Sequence, residues 1–135
     1  MNMTQQKTAT QYQQTQFATA DRGTLLLLMF DGALRFLAQA EASLQSQDVE
    51  RFSSQLGRAQ AVIAELLHTL DHKAGGEVAG NLERLYRFML EHLLEANVDK
   101  SAAHVACVRR LLATIADGYR EVVARGVPQG TLDAA

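Results

Sequence analysis

Four histidines and one cysteine are the residues in this chain whose chemistry could exceed packing. His68 and His72 stand four apart, a spacing that puts two imidazoles on one helix face and, with His92 or a carboxylate, could ligate zinc. The stretch His68-Thr69-Leu70-Asp71-His72 lacks the glutamate of the His-Glu-x-x-His zinc-protease pattern. With no third ligand fixed by spacing, the pair reads as surface histidines near a helix C-terminus, where the dipole favours positive charge. A di-iron bundle would need Glu-x-x-His pairs on several helices, and only Glu65-Leu66-Leu67-His68 has that spacing. Cys107 has His104 three residues before it, but a thiol on a packed helix behaves as a small hydrophobe. Gly75-Gly76 follows no strand and precedes no Gly-Lys-Ser/Thr, so it is a helix break and not a phosphate loop. These residues therefore offer no compelling catalytic or metal-ligating set.

The elements around these residues are helices. Leu25 to Leu44 is too long for a strand and rich in helix formers. Leu26, Met29, Ala33, Leu37, Ala40 and Leu44 form its seam, while Leu25, Leu27, Leu28, Phe30, Leu34 and Phe36 fall outside it. A helix apolar nearly all round must be covered on several sides, by its own chain or by a partner. Val49, Phe52, Leu56, Ala59, Ile63, Leu66 and Leu70 make a second seam, with Val62 and Leu67 beside it. Val78, Leu82, Leu85, Met89 and Leu93 make a third, extended by Tyr86, Leu90, Leu94 and Val98. Val105, Val108, Leu112, Ile115, Tyr119 and Val122 make the fourth. Asp21, Asp48 and Ser101 are the expected N-caps, Glu77 an acid in a first turn, and Gly126 with Pro128 a stop.

The expected fold is all-α, an antiparallel up-down-up-down four-helix bundle with a mobile N-terminal arm. The helices are expected at 22–46, 49–73, 77–98 and 101–125 within a 21–126 bundle, followed by a loose 127–135 tail. Residues 1–20 are Gln- and Thr-rich and hold only Tyr12 and Phe17 as large apolar groups, so they read as an arm able to dock those two rings. The 135 residues suit one domain, with 47% hydrophobic and 21% charged content. A net charge of −2 with interleaved acids and bases argues against nucleic acid. The lone cysteine excludes an intrachain disulfide, the N-terminus has no secretory h-region, and the Leu25–Phe30 run is too short to span a bilayer. A cytoplasmic protein without membrane insertion is expected. Leu25, Leu28, Leu67, Tyr86, Leu90 and Leu94 exceed what a two-position seam requires, and such a surplus suits a groove for another helix.

Tyr12-Gln13-Gln14-Thr15, Ala18-Thr19-Ala20, Asp31-Gly32-Ala33, Ala59-Gln60-Ala61-Val62-Ile63, Leu70-Asp71, Gly75-Gly76-Glu77-Val78-Ala79, Asn81-Leu82, Leu85-Tyr86 and Glu95-Ala96-Asn97, in this order, resemble the flagellar secretion chaperone FliS family. The resemblance implies a cytoplasmic helical bundle that binds the disordered apolar C-terminal segment of flagellin. It implies protection from premature polymerisation, delivery to the flagellar type III export gate, no enzymatic activity and no cofactor. It also implies an arm whose Tyr, here Tyr12, covers an apolar groove until flagellin binds. Departures are Asp21-Arg22 for Ser-Pro, Phe30 for Tyr, and no late Trp, with Tyr119 expected in that layer. The expected flagellin contacts are Tyr12 and Phe17 on the arm and Leu67, Leu85, Tyr86 and Leu94 in the groove. Gln60 and Asn81 are expected to satisfy backbone groups of an extended ligand. The main alternative is a structural or regulatory bundle that pairs with itself, as a homodimer, through its seams; a second is a metal- or ligand-binding bundle that would lose stability when His68 or His72 is changed.

Overall fold

A computed structural model describes residues 21–126, and every described element is a helix. They are α1 (Arg22–Gln45), α2 (Val49–His68), α3 (His72–Asp99) and α4 (Ala102–Ala124). Each starts on a side chain that takes up a free amide. The Asp21 carboxylate accepts the Thr24 N–H at 2.8 Å, which holds its pKa below the ordinary carboxylate value. Asp48 accepts from Arg51 at 3.0 Å, and the Ser101 hydroxyl accepts from His104 at 3.2 Å.

The links span two to three residues, so neighbours in sequence run antiparallel. Polar contacts between helices agree. Arg22, at the start of α1, donates to the Thr69 carbonyl just past the end of α2 at 3.1 Å. The Ser53 hydroxyl, early in α2, donates to Asn97 Oδ1 late in α3 at 3.0 Å. Glu41 and Asp31 of α1 meet Arg109 and Arg120 of α4 in reversed order. α1 packs on α2 and α4, and α3 closes the ring against α2 and α4. This is an up-down-up-down four-helix bundle.

One face of every helix fills the centre. Leu26, Phe30, Ala33, Leu37 and Ala40 of α1 meet Phe52, Leu56, Ala59, Ile63 and Leu66 of α2 in one cluster. Tyr86, Met89, Leu93 and Ala96 of α3 and Val105, Val108, Leu112, Ala116 and Tyr119 of α4 complete it. α1 is long and apolar enough by composition to cross a bilayer, but here its seam belongs to this core.

Several expectations change: Val49 and Val78, placed in the second and third seams, are exposed, and Ala116 rather than Ile115 is buried in the fourth. Phe30, placed outside the first seam, is fully buried, with its ring 5.7 Å from that of Tyr119, whereas Met29 sits half-buried on the flank. The seam steps from Leu26 to Phe30 because the larger ring fills the centre of the bundle and the flexible Met can adapt at its edge.

The second break also moves. α2 ends at His68, not at residue 73, because the Asp71 carboxylate caps a new helix by accepting from Lys73 and Ala74 at 3.1 and 3.0 Å. Gly75-Gly76 then lies inside α3 as a kink, with Gly76 at φ 54° and ψ −125°. A Cβ is strained there whatever the space around it. Gly76→Ala is expected to cost about 1–3 kcal/mol, read as a lower denaturant midpoint at unchanged slope.

Candidate functional site

Helix flanks that are not part of the core leave two apolar surfaces. The first lies between α1 and α2, where Leu28, Met29, Gly32, Arg35, Ala61, Val62 and Glu65 line an open groove of ≈380 Å³. Met29 and Val62 rest on the core, while Leu28 is half-buried without joining it. Gly32 keeps the wall low, and a Cβ added there would meet only the end of Arg35 at 3.9 Å. Beside the groove, the Arg58 guanidinium lies 6.0 Å from the centre of the Phe36 ring. Leu25, exposed on the same helix, lies seven residues before Gly32 and extends the apolar strip.

The second surface runs along α2 and α3. Ser53, Gln60 and Leu67 recur every seven residues and share a flank of α2, and Ser53 bonds Asn97 of α3. On α3, Leu90 and Leu94 stand seven and three residues before Asn97 on that same side. Leu94 is 60% exposed and Val98, one turn on, 82%. The structure therefore brings Gln60, Leu67 and Leu94 to one seam.

Asn81 and Leu85 go elsewhere. With Phe88 and His92 they form a three- and four-residue series whose last member stacks on His104 of α4. Asn81 is exposed and accepts a hydrogen bond from Arg84, and Leu85 is half-buried against the core. Tyr86 is fully buried in the core cluster. Tyr12 and Phe17 lie outside the described residues. The α1–α2 groove was not singled out from sequence, although the surplus of Leu25 and Leu28 around Gly32 was its signal.

Burial, and to a lesser degree the neighbouring Tyr119, pushes the Tyr86 phenol above its ordinary 10.0. A raised folded pKa gives stability that is fully present below pH 10.0 and is lost as pH rises above it. The melting temperature is expected to fall through that alkaline range, and to fall less in Tyr86→Phe, as thermal unfolding followed by circular dichroism would report.

Among the described residues, no metal or nucleophile assembly forms around His68, His72 or Cys107. His68 and His72 are separated by the break at 69–71, and His72 Nε2 lies 3.9 Å from Glu83. His104 turns its ring to Ser101 and Glu95, and Cys107 is half-buried on α4.

The described residues thus form a small antiparallel bundle with an apolar groove between α1 and α2 and an exposed apolar strip on α3. Residues 4–126 match the family described as "Flagellar protein FliS". The chain is 34% identical over 117 residues to the flagellar secretion chaperone FliSB of Pseudomonas aeruginosa, covering 84% of this chain and 93% of that protein. It is 35% identical over 99 residues to the flagellar secretion chaperone FliS of Salmonella typhimurium, covering 73% of each. To the Bacillus subtilis flagellar secretion chaperone FliS it is 29% identical over 114 residues, covering 84% of each. The chain belongs to the FliS family of flagellar secretion chaperones.

Proposed function

We propose that this protein is a cytoplasmic export chaperone for flagellin. It holds the disordered, apolar C-terminal segment of the subunit, prevents premature polymerisation and delivers the subunit to the flagellar type III export apparatus. The supporting observation is the apolar surface left outside the core: the α1–α2 groove and the strip that ends in Leu94 and Val98. A segment that folds as it is buried needs a long apolar track more than one deep pocket. Two tracks on adjoining seams suit a ligand that crosses α2 as it winds around the bundle.

Leu67, Leu94 and the groove residue Leu28 act as apolar contacts in this reading. Gln60 meets backbone groups of the ligand beside them, Asn81 and Leu85 offer a further contact on the other flank of α3, and Tyr86, buried in the core, supports the bundle without touching the ligand. Tyr12 and Phe17 belong to an arm that shields the tracks in the free protein, which lowers apparent affinity and keeps the protein soluble. Binding and release need no bond-breaking step, so the proposal assigns no catalytic residue and no cofactor. A component of the export gate is the second partner.

Calorimetric titration with flagellin, intact and without its C-terminal segment, tests this. One-to-one heat from the intact protein and none from the truncated one is the expected result. Heat from neither overturns the proposal in favour of a bundle that associates with itself.

A further inference from the structure

At the turn between α3 and α4, three electron-rich side chains converge. His92 and Glu95 stand three apart on the last turns of α3, and His104 stands on the first turn of α4. Their donor atoms all lie within 4.8 Å of one another. His104 Nε2 is 3.3 Å from Glu95 Oε2, and His92 Nδ1 is 3.9 Å from the same oxygen.

One of the two imidazoles is held before any ligand arrives. The Ser101 Oγ to His104 Nδ1 distance is 2.8 Å, which fixes that ring and leaves Nε2 facing the carboxylate. The His92 ring is sandwiched between Phe88, 5.0 Å away, and His104, 4.1 Å away. With the proton of His104 on Nδ1, its Nε2 lone pair meets a carboxylate oxygen, an arrangement that repels unless something positive lies between them.

We infer that His92, Glu95 and His104 form a binding site for one divalent transition-metal ion of the zinc type. Two imidazoles and a carboxylate suit zinc, and a three-residue set leaves a fourth position for water or a partner's side chain. Calcium and magnesium favour all-oxygen shells and are poor candidates. Zinc bonds of about 2.0–2.2 Å at tetrahedral angles set donors about 3.4 Å apart. The His104–Glu95 separation is already there; the His92–Glu95 pair at 3.9 Å and the His92–His104 pair, within 4.8 Å, close as the His92 ring tilts out of its stack and the exposed Glu95 carboxylate turns. Glu95 is 60% exposed, so an ion reaches the site directly from solvent. The Ser101 contact is the outer partner that a ligating histidine usually has. The pattern His-x2-Glu-x8-His spans the α3–α4 turn, so a bound ion ties those helices together independently of any flagellin contact.

The test is a titration of the tag-free full-length protein with cobalt(II), followed by its visible absorption, with zinc(II) used to displace it. Saturation at one equivalent and a rise in melting temperature with zinc(II) are expected, since an ion that binds only the folded form stabilises it. Changing an outer partner alone costs about 10–100-fold in affinity, so Glu95→Gln and His104→Gln are expected to lose at least about 100-fold. Both side chains are partly exposed, and helix content without metal shows whether each variant is folded. His72→Gln, which removes an exposed histidine outside the cluster, is expected to bind as the parent does. No one-equivalent cobalt spectrum overturns the site and leaves only a polar contact between His104 and Glu95. Affinity retained in His104→Gln, or lost in His72→Gln, also overturns it.

Discussion

Phe30→Ala is expected to cost about 3–5 kcal/mol of folding stability. Phe30 is fully buried in α1 and tilts at 59° to the Tyr119 ring of α4, so its loss empties the α1–α4 interface where these two helices meet the core. Ordinary domains are stable by about 5–15 kcal/mol, so the variant loses about a fifth or more of a typical total. Urea unfolding at neutral pH should show a midpoint shift of that size. Phe36→Ala is the comparison, because Phe36 is only half-buried and the same ring is removed from a flank. If both variants lose equal stability, the centre of the bundle is not where the buried seam puts it.

The same residue shows how far the sequence could be read. Four helices, their antiparallel order and three of the N-caps follow from spacing and capping chemistry alone, while of the expected third seam only Met89 and Leu93 are buried. Choosing between Met29 and Phe30 does not. Leu25 to Phe30 is an unbroken apolar run, and a run apolar on every side carries no phase. Only the facing helices decide which side chain is central. Asp71 was passed over as a cap because Gly75-Gly76, four residues on, is the louder break signal. The glycines act only as a kink once a carboxylate has restarted the helix.

Surface assignments were harder still. Leu94 and Tyr86 both lie on the apolar side of α3, yet one is largely in water and the other wholly buried. That difference depends on how far α2 and α4 reach around α3, a distance no single-helix pattern contains. The His92–Glu95–His104 cluster was invisible for the same reason: it joins two helices across a turn, and sequence spacing pointed to His68 and His72 instead.

Leu28→Glu and Leu94→Glu are each expected to weaken flagellin binding by about 10–150-fold while the fold is kept. An apolar side chain of this size contributes about 1.5–3 kcal/mol when fully covered, which is that range in affinity. Leu28 stands apart from the core cluster and Leu94 is 60% exposed, so a charge at either site keeps its water in the free protein. It loses that water when a ligand covers it, which adds to the cost. Calorimetry on both variants locates the ligand. Loss in both means the flagellin segment crosses α2 and uses both tracks. Loss in one alone assigns the segment to that track, and loss in neither removes these surfaces from the binding reaction.

The bundle is packed unevenly, most closely between α1 and α2 and least between α3 and α4. Local opening follows the weakest packing, so backbone amides of α3 and α4 should exchange with solvent deuterium well before those of α1 and α2. The bundle is then a slow-exchanging hairpin carrying a faster one. The fast half breathes at the seam where His92, Glu95 and His104 meet, and an ion held there would slow its exchange and leave the α1–α2 hairpin unchanged.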